Sequence, residues 1–195
     1  MSVRNLLFTV LIRFSPRTRV HGVELAAPTG VDGTEALFRK AGEALELIAA
    51  TAPRLLRRTQ RYLRRIVFVS GGGEIYHEQL HAYLVDLPMF KTRTIREVAS
   101  AIVHETVHAR LLCLGIPYDE GRRDEIEHLC VNEEIAFLTR FPDSAEAIAR
   151  KRESLKTRWW TDPELHQRRL SQLRAHGIPG VLIRLYDWLR SRPRR

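Results

Sequence analysis

From Val98 to Leu114 the chain is apolar apart from Ser100, the run His104-Glu105-Thr106, His108 and Arg110. So even an apolar run predicts a helix that is largely buried. Thr94 followed by Glu97 forms a capping box that would start it, and Gly115 would stop it. Two histidines and a glutamate inside such a helix are costly unless something satisfies them. The rest of the fold has to cover this segment and give its polar middle a partner.

The polar middle has a defined pattern. His104-Glu105-Thr106-Val107-His108 is HExxH, and on a helix the i, i+4 spacing puts both imidazoles on one face about a turn apart, where they can share one zinc ion. A metal with an open position lowers the pKa of its bound water towards about 7, and a nearby carboxylate can take the proton as that water attacks a carbonyl. Glu105 is placed for that role. The plainer alternative is a pair of histidines solvated on a helix surface or hydrogen-bonded in a core. The flanks Ala99, Ala101, Ile102, Val103, Val107, Ala109, Leu111 and Leu112 argue against it, because a shared metal would satisfy all three polar groups at once.

The remaining segments suggest how this helix is housed. Helical spacing covers Thr34 to about Thr51, and Pro53 is well placed to open a second helix to Arg65, so the N-terminal third reads as mostly helical. Ile66 to Ser70 and Ala82 to Leu87 are short extended runs separated by Gly71, Gly72 and Gly73, which suggests a small sheet with an exposed edge. After the HExxH helix, further helices are expected over about Arg122 to Arg140, after Asp143, from Asp162 and Pro163 to Gly177, and over 180 to 191.

A length of 195 residues suits one domain with a sizeable core. The early apolar run Leu6 to Ile12 is too short to span a bilayer and lacks a small-residue cleavage site. Cys113 and Cys130 are too few for a disulfide scaffold and belong to no CxxC pair. A reducing cytoplasm is the expected location. The net charge of +9 is uneven: residues 150 to 195 hold 13 Lys or Arg against 4 Asp or Glu, whereas residues 1 to 149 hold 19 of each. Such an excess can attract nucleic acid, but 28 of the 32 cationic residues are arginine, as happens when codon usage is GC-rich, which lowers its weight.

With these motifs in order, the chain resembles the zincin metallopeptidases of bacteria and other organisms, in which a sheet with an edge strand precedes an HExxH helix and a second helix supplies the third ligand. The resemblance covers roughly residues 66 to 140. It implies a zinc-dependent peptidase in which His104 and His108 bind the ion and Glu105 activates water. In the gluzincin branch the third ligand is a glutamate, and the candidates are Glu127, Glu133 and Glu134. Eighteen residues separate Glu127 from His108, as in gluzincin aminopeptidases, and Glu127 is favoured. Asn132-Glu133 is similar to the pair used by thermolysin-like enzymes. Glu127 and Glu134, seven apart, share one side of a helix, so one could bind zinc while the other orients a ligand histidine; Glu133 faces elsewhere. Cys130, one turn from Glu127, could instead give a thiolate, with Asp124 and His128 further out.

The resemblance also implies an extended peptide or protein substrate along the edge strand, here Ala82 to Leu87, and a Tyr or His that stabilises the oxyanion, for which Tyr118 and His128 are the candidates. Two features depart from the pattern. Arg110 follows the motif where zincins keep an uncharged residue, and no thermolysin-type or metzincin-type extension is present.

The basic stretch Arg54, Arg57, Arg58, Arg61, Arg64 and Arg65 could contact nucleic acid, but a solvated helix face is favoured because only Tyr62 interleaves. Trp159, Trp160 and Trp188 are read as core anchors, and His21, His77, His81, His166 and His176 as ordinary structural histidines. The expected fold is α+β and zincin-like: one domain over 1–195, with a metallopeptidase-like core at 66–140 and a basic helical extension at 143–195. The expected function is zinc-dependent peptide hydrolysis. The alternative is a zincin-like module with structural or regulatory zinc that binds a partner through its basic face.

Overall fold

The computed structural model describes residues 14–27, 31–69, 74–158, 160, 170–171 and 180–181. By internal contacts the chain divides into two units, 1–157 and 158–195. The boundary falls inside the segment 143–195 that charge sets apart. The run Leu6 to Ile12, the arginine tail and nearly all of the expected helices at 162–177 and 180–191 lie outside the described residues.

The first unit is α+β, with a five-stranded mixed sheet and six α-helices among the described residues. Strands β1 (Arg17–Val20) and β2 (Val23–Ala26) are followed by helices α1 (Thr34–Thr51) and α2 (Pro53–Tyr62). Then come β3 (Arg65–Val69), β4 (Ile75–His77), a 3-10 turn at Glu78–Leu80, β5 (Ala82–Asp86) and the short helix α3 (Leu87–Thr92). The long helix α4 (Ile95–Cys113) precedes α5 (Arg123–Leu138) and α6 (Ala145–Thr157).

The expectation of a mostly helical N-terminal third holds from Thr34 to Tyr62, with Arg65 already in β3, and fails before Thr34. β1 and β2 form an antiparallel hairpin closed by His21 and Gly22 at φ 47° and 78°, the left-handed pair that a two-residue turn between twisted strands requires. The hairpin escapes a periodicity reading because β1 is Arg-Thr-Arg-Val with its first three residues exposed. Short, charged strands of this kind suit a sheet edge.

The strand order is β1-β2-β3-β5-β4. β2, β3 and β5 run parallel, and β4 is antiparallel to β5. One expectation is corrected here: Ala82 to Leu87 is not the edge. β5 pairs with β3 on one side (Val67↔Leu84) and with β4 on the other (Tyr76↔Tyr83), so the edge on that side is Ile75–His77, three residues too short to show a period. Pro88 does not merely end the strand, because it sits in the first turn of α3, where a missing N–H costs nothing.

Side chains alternate across the sheet. Ile66, Phe68, Tyr83 and Val85 face the helices and join Leu37, Ala41, Leu45 and Ile48 of α1 with Val98, Ile102 and Val103 of α4 in one core. Val67, Ala82 and Ala26 form a smaller cluster on the opposite face. α4 packs against α1, α2, α5 and β4, which is why every residue from Val98 to Thr106 is buried.

Both ends of α4 are built as the sequence suggests. Thr94 Oγ1 accepts the Glu97 N–H at 3.2 Å, and Glu97 Oε2 accepts the Thr94 N–H at 2.9 Å. At the other end Gly115 adopts φ 76°, its N–H reaches Leu112 O, and Ile116 N–H reaches Leu111 O, the paired closure of a left-handed helix stop. Thr94→Ala removes the side-chain acceptor and is expected to destabilise the protein by about 1 kcal/mol, measured as a lowered midpoint in urea with an unchanged slope.

Candidate functional site

The site lies where α4 meets α5. His104 and His108, one turn apart on α4, turn their rings together with centroids 4.9 Å apart, and their Nε2 atoms stand 3.1 Å from each other. Glu127 enters from α5, with Oε2 3.4 Å from His104 Nε2 and Oε1 3.6 Å from His108 Nε2. Donors of a tetrahedral zinc centre at about 2.0–2.2 Å stand roughly 3.3–3.6 Å from one another. The two histidine–carboxylate separations fall in that range, and the 3.1 Å between the imidazole nitrogens lies just below it.

The three candidate glutamates separate cleanly. Glu134, two turns beyond Glu127, lies behind the histidines. Its Oε2 is 3.2 Å from His104 Nδ1, while its Oε1 accepts from Ser100 Oγ at 3.0 Å and from Lys151 Nζ at 2.6 Å. His104 thus meets one glutamate at each nitrogen. Glu133 points away and pairs with Arg58 at 3.2 Å.

Cys130 is the competing third donor, its Sγ and the histidine nitrogens all lying within 4.8 Å of one another. Glu127 is favoured because its carboxylate stands 3.4 and 3.6 Å from the two imidazole nitrogens and is ionised before any ion binds. Burial and the carboxylates of Glu127, Glu105 and Glu134 raise the Cys130 thiol well above its usual value, so that binding an ion there would first cost its proton. Burial would also raise Glu127, but His104, His108 and Tyr118 lower it below the usual carboxylate value.

Neighbouring charges set opposite states on the two histidines. Burial alone would lower His104, but the Glu134 and Glu127 carboxylates raise it to about 10. Burial and the adjacent His104 lower His108 to about 4. Burial would raise Glu134, but His104 and Lys151 hold it down to about 2. A cluster of such displaced groups is typical of functional sites.

Glu105 is 7 % exposed, and its Oε2 is buried without a hydrogen-bond partner, as is Glu127 Oε2. Buried carboxylate oxygens left open in this way need an explanation such as an ion or a catalytic role. Burial raises the Glu105 carboxyl to about 8, reinforced by Glu74, Glu127 and Glu134 against the lowering effect of His104. Glu74 stands at the entry to β4, where it accepts from Tyr83 OH at 2.8 Å and pairs with Arg93 at 2.6 Å. Because Arg93 immediately precedes the cap of α4, this pair ties the edge strand to the HExxH helix.

Of the two oxyanion candidates, Tyr118 is in the site. Its hydroxyl donates to Glu127 Oε1, and its ring stands edge-on to His108 with centroids 5.1 Å apart. Burial and Glu127 raise its pKa, so it keeps its proton. His128 and Asp124 are half-buried on α5 next to Glu127. Arg54, Arg57, Arg58 and Arg61 lie exposed along α2, whose Leu56 and Thr59 face inward, as a solvated face requires. His21 is held by Glu46, and His81 by Tyr76.

Sequence reasoning misses Lys151, Ser100, Glu74 and Arg93. Lys151 sits within Arg150-Lys151-Arg152, which looks uniformly solvated. The available signal is its position with Ala147, Ile148, Ser154 and Leu155 on the one half-buried stripe of α6. Among the described residues no helix is long and apolar enough to cross a membrane. Compared with protein-family models, curated proteins and solved structures, the chain matches none.

A carboxyl whose folded value of about 8 exceeds its ordinary 4.5 contributes stability that is lost as pH rises between those values. Glu105→Gln removes that dependence. In the presence of a chelator, the thermal midpoint of the native protein is expected to fall relative to Glu105→Gln as pH rises from 4.5 to about 8. A constant offset across that range would mean that Glu105 is ionised in the fold.

Proposed function

We propose that the chain is a zinc-dependent hydrolase of peptide bonds, with His104, His108 and Glu127 as zinc ligands and Glu105 as general base. The observation that carries this reading is the triangle of His104 Nε2, His108 Nε2 and the Glu127 carboxylate, with separations of 3.1, 3.4 and 3.6 Å. Glu105 Oε2 lies buried without a hydrogen-bond partner. The zincin resemblance agrees with the order of elements, in which an antiparallel edge strand packs on the HExxH helix and a second helix brings the glutamate.

When bound, zinc would supply Lewis-acid polarisation of a carbonyl and a water acidified towards about pH 7. The residues do the rest. Glu105 takes a proton from the attacking water and returns it to the departing amide nitrogen, so that its carboxyl ends as it began. Without an ion, burial holds the Glu105 carboxyl protonated up to about 8; beside a bound cation it would favour the ionised form that accepts the proton. Glu134 accepts at His104 Nδ1, which leaves Nε2 as the donor to the ion. The Tyr118 hydroxyl, kept protonated beside Glu127, is the donor available to the developing oxyanion. β4 has one side without a partner strand among the described residues, and an extended peptide can add to such an edge through main-chain hydrogen bonds.

Elemental mass spectrometry on the purified native protein is expected to find about one zinc per chain. Glu105→Gln should keep the metal while losing hydrolysis of a mixed peptide substrate by roughly 10²–10⁴-fold. His104→Ala and Glu127→Ala should lose the metal, and Glu133→Ala should keep both metal and activity. No zinc in the native protein after reconstitution would sink the reading. Zinc retained by Glu127→Ala but lost from Cys130→Ala would transfer the third ligand to the cysteine.

A further inference from the structure

Glu134 is among the most deeply buried carboxylates described, 1 % exposed, and its two oxygens do different things. Oε2 faces His104 Nδ1. Oε1 takes both remaining donors, Ser100 from α4 and Lys151 from α6. A carboxylate can turn about its terminal bond at little cost, so an oxygen aimed at an imidazole has to be held by what grips its twin. Lys151 supplies the shorter and charge-assisted of the two contacts on Oε1, the stronger kind of hydrogen bond. It is also the only charged residue on the half-buried stripe of α6, whereas its neighbours Arg150 and Arg152 are exposed.

We propose that Lys151 is a positioning residue for the metal centre: through Glu134 it fixes the orientation of His104, so that helix α6 sets the affinity of a site to which it contributes no ligand. This deepens the reading of His104, His108 and Glu127 as a zinc site and rests on it. Partners that orient a ligand histidine typically change metal affinity by about 10–100-fold when removed. A lysine that merely fastened α6 to the α4–α5 pair would change stability and leave affinity alone.

The surroundings of Lys151 allow a test that separates these roles. Its side chain borders a cavity of about 190 Å³, lined by Ser100, Ala101 and Ala147 together with the charged Arg93, Glu97 and Arg150. Truncation to alanine would enlarge that space next to Glu134 and leave room for a small cation. Methylammonium or ethylammonium could then donate to Oε1 in place of the missing side chain, without restoring any tether between helices.

The experiment is zinc affinity by chelator competition on the full chain, for native protein, Lys151→Ala, Lys151→Arg and Ser100→Ala. The expected result is a loss of about 10–100-fold in Lys151→Ala, partly reversed by Lys151→Arg and by added methylammonium or ethylammonium but not by the bulkier tetramethylammonium, which has no N–H. Ser100→Ala should lose less, because it removes the weaker donor to the same oxygen. Its inclusion keeps the test decisive if Lys151→Ala fails to fold, since unchanged affinity in Ser100→Ala and Lys151→Arg together would then overturn the proposal. Affinity within about twofold of native in Lys151→Ala, or a loss that no small amine reverses, overturns it while leaving the zinc site standing. A native protein that takes up no zinc overturns the reading of the site itself, and this proposal with it.

Discussion

The constraint on which the rest of the structure depends is the desolvation of five ionisable groups between two helices. His104, Glu105, Glu127 and Glu134 are all buried, and His108 nearly so. Left alone, each would be costly in that position. The structure answers unevenly. Glu134 is fully provided for, with a serine, a lysine and an imidazole. Glu105 and Glu127 each keep an oxygen with no hydrogen-bond partner, that of Glu127 lying 3.4 Å from His104 Nε2, and the two imidazole nitrogens face each other at 3.1 Å with room for a single proton between them. The well-satisfied half lies behind the histidines and the less satisfied half in front, an asymmetry that suits the zinc site proposed above.

Burying this cluster requires α4 to be covered almost all round, and the architecture follows from that. α1 and α2 cover it on the sheet side, α5 brings the acids, and β4 packs across it. The capping box and the left-handed stop at Gly115 satisfy ends that would otherwise compete for the same buried volume. The Glu74–Arg93 pair, with Tyr83 hydrogen-bonded to the same carboxylate, fixes β4 relative to the cap of α4. Such a tie sets the approach of the edge strand to the helix, which main-chain pairing to β5, specifying register alone, does not.

Much of this was legible in the sequence where signals were local and strong. The apolar run around HExxH, its Thr94–Glu97 start and its Gly115 stop define α4 to within a few residues, and the seven-residue separation of Glu127 and Glu134 correctly predicts that they share a side while Glu133 does not. What escaped depends on long-range pairing. β1 is polar and exposed, so no two-residue period marks it. β4 has three residues, and its role as the edge is decided by β5 being paired on both sides, a property of the sheet that no window of sequence contains. Lys151 is a third case: flanked by two arginines it looks like part of a charged surface, and only the docking of α6 on α5 turns it towards Glu134.

The charge pattern bears differently on the two halves of the site. The arginines of α2 lie on exposed positions, where solvent and salt screen them and their effect on fold is small. Lys151 differs, because it stands 2.6 Å from a carboxylate that is 1 % exposed, where its charge joins that of His104 in keeping Glu134 ionised. Replacing it by arginine preserves the charge but not the shape, since a planar fork seeks two acceptors and Oε2 is already turned to His104. A point charge on a flexible stem fits a carboxylate with one oxygen to spare, which gives a physical reason for a lysine at this position in a chain that otherwise uses arginine for 28 of its 32 cations.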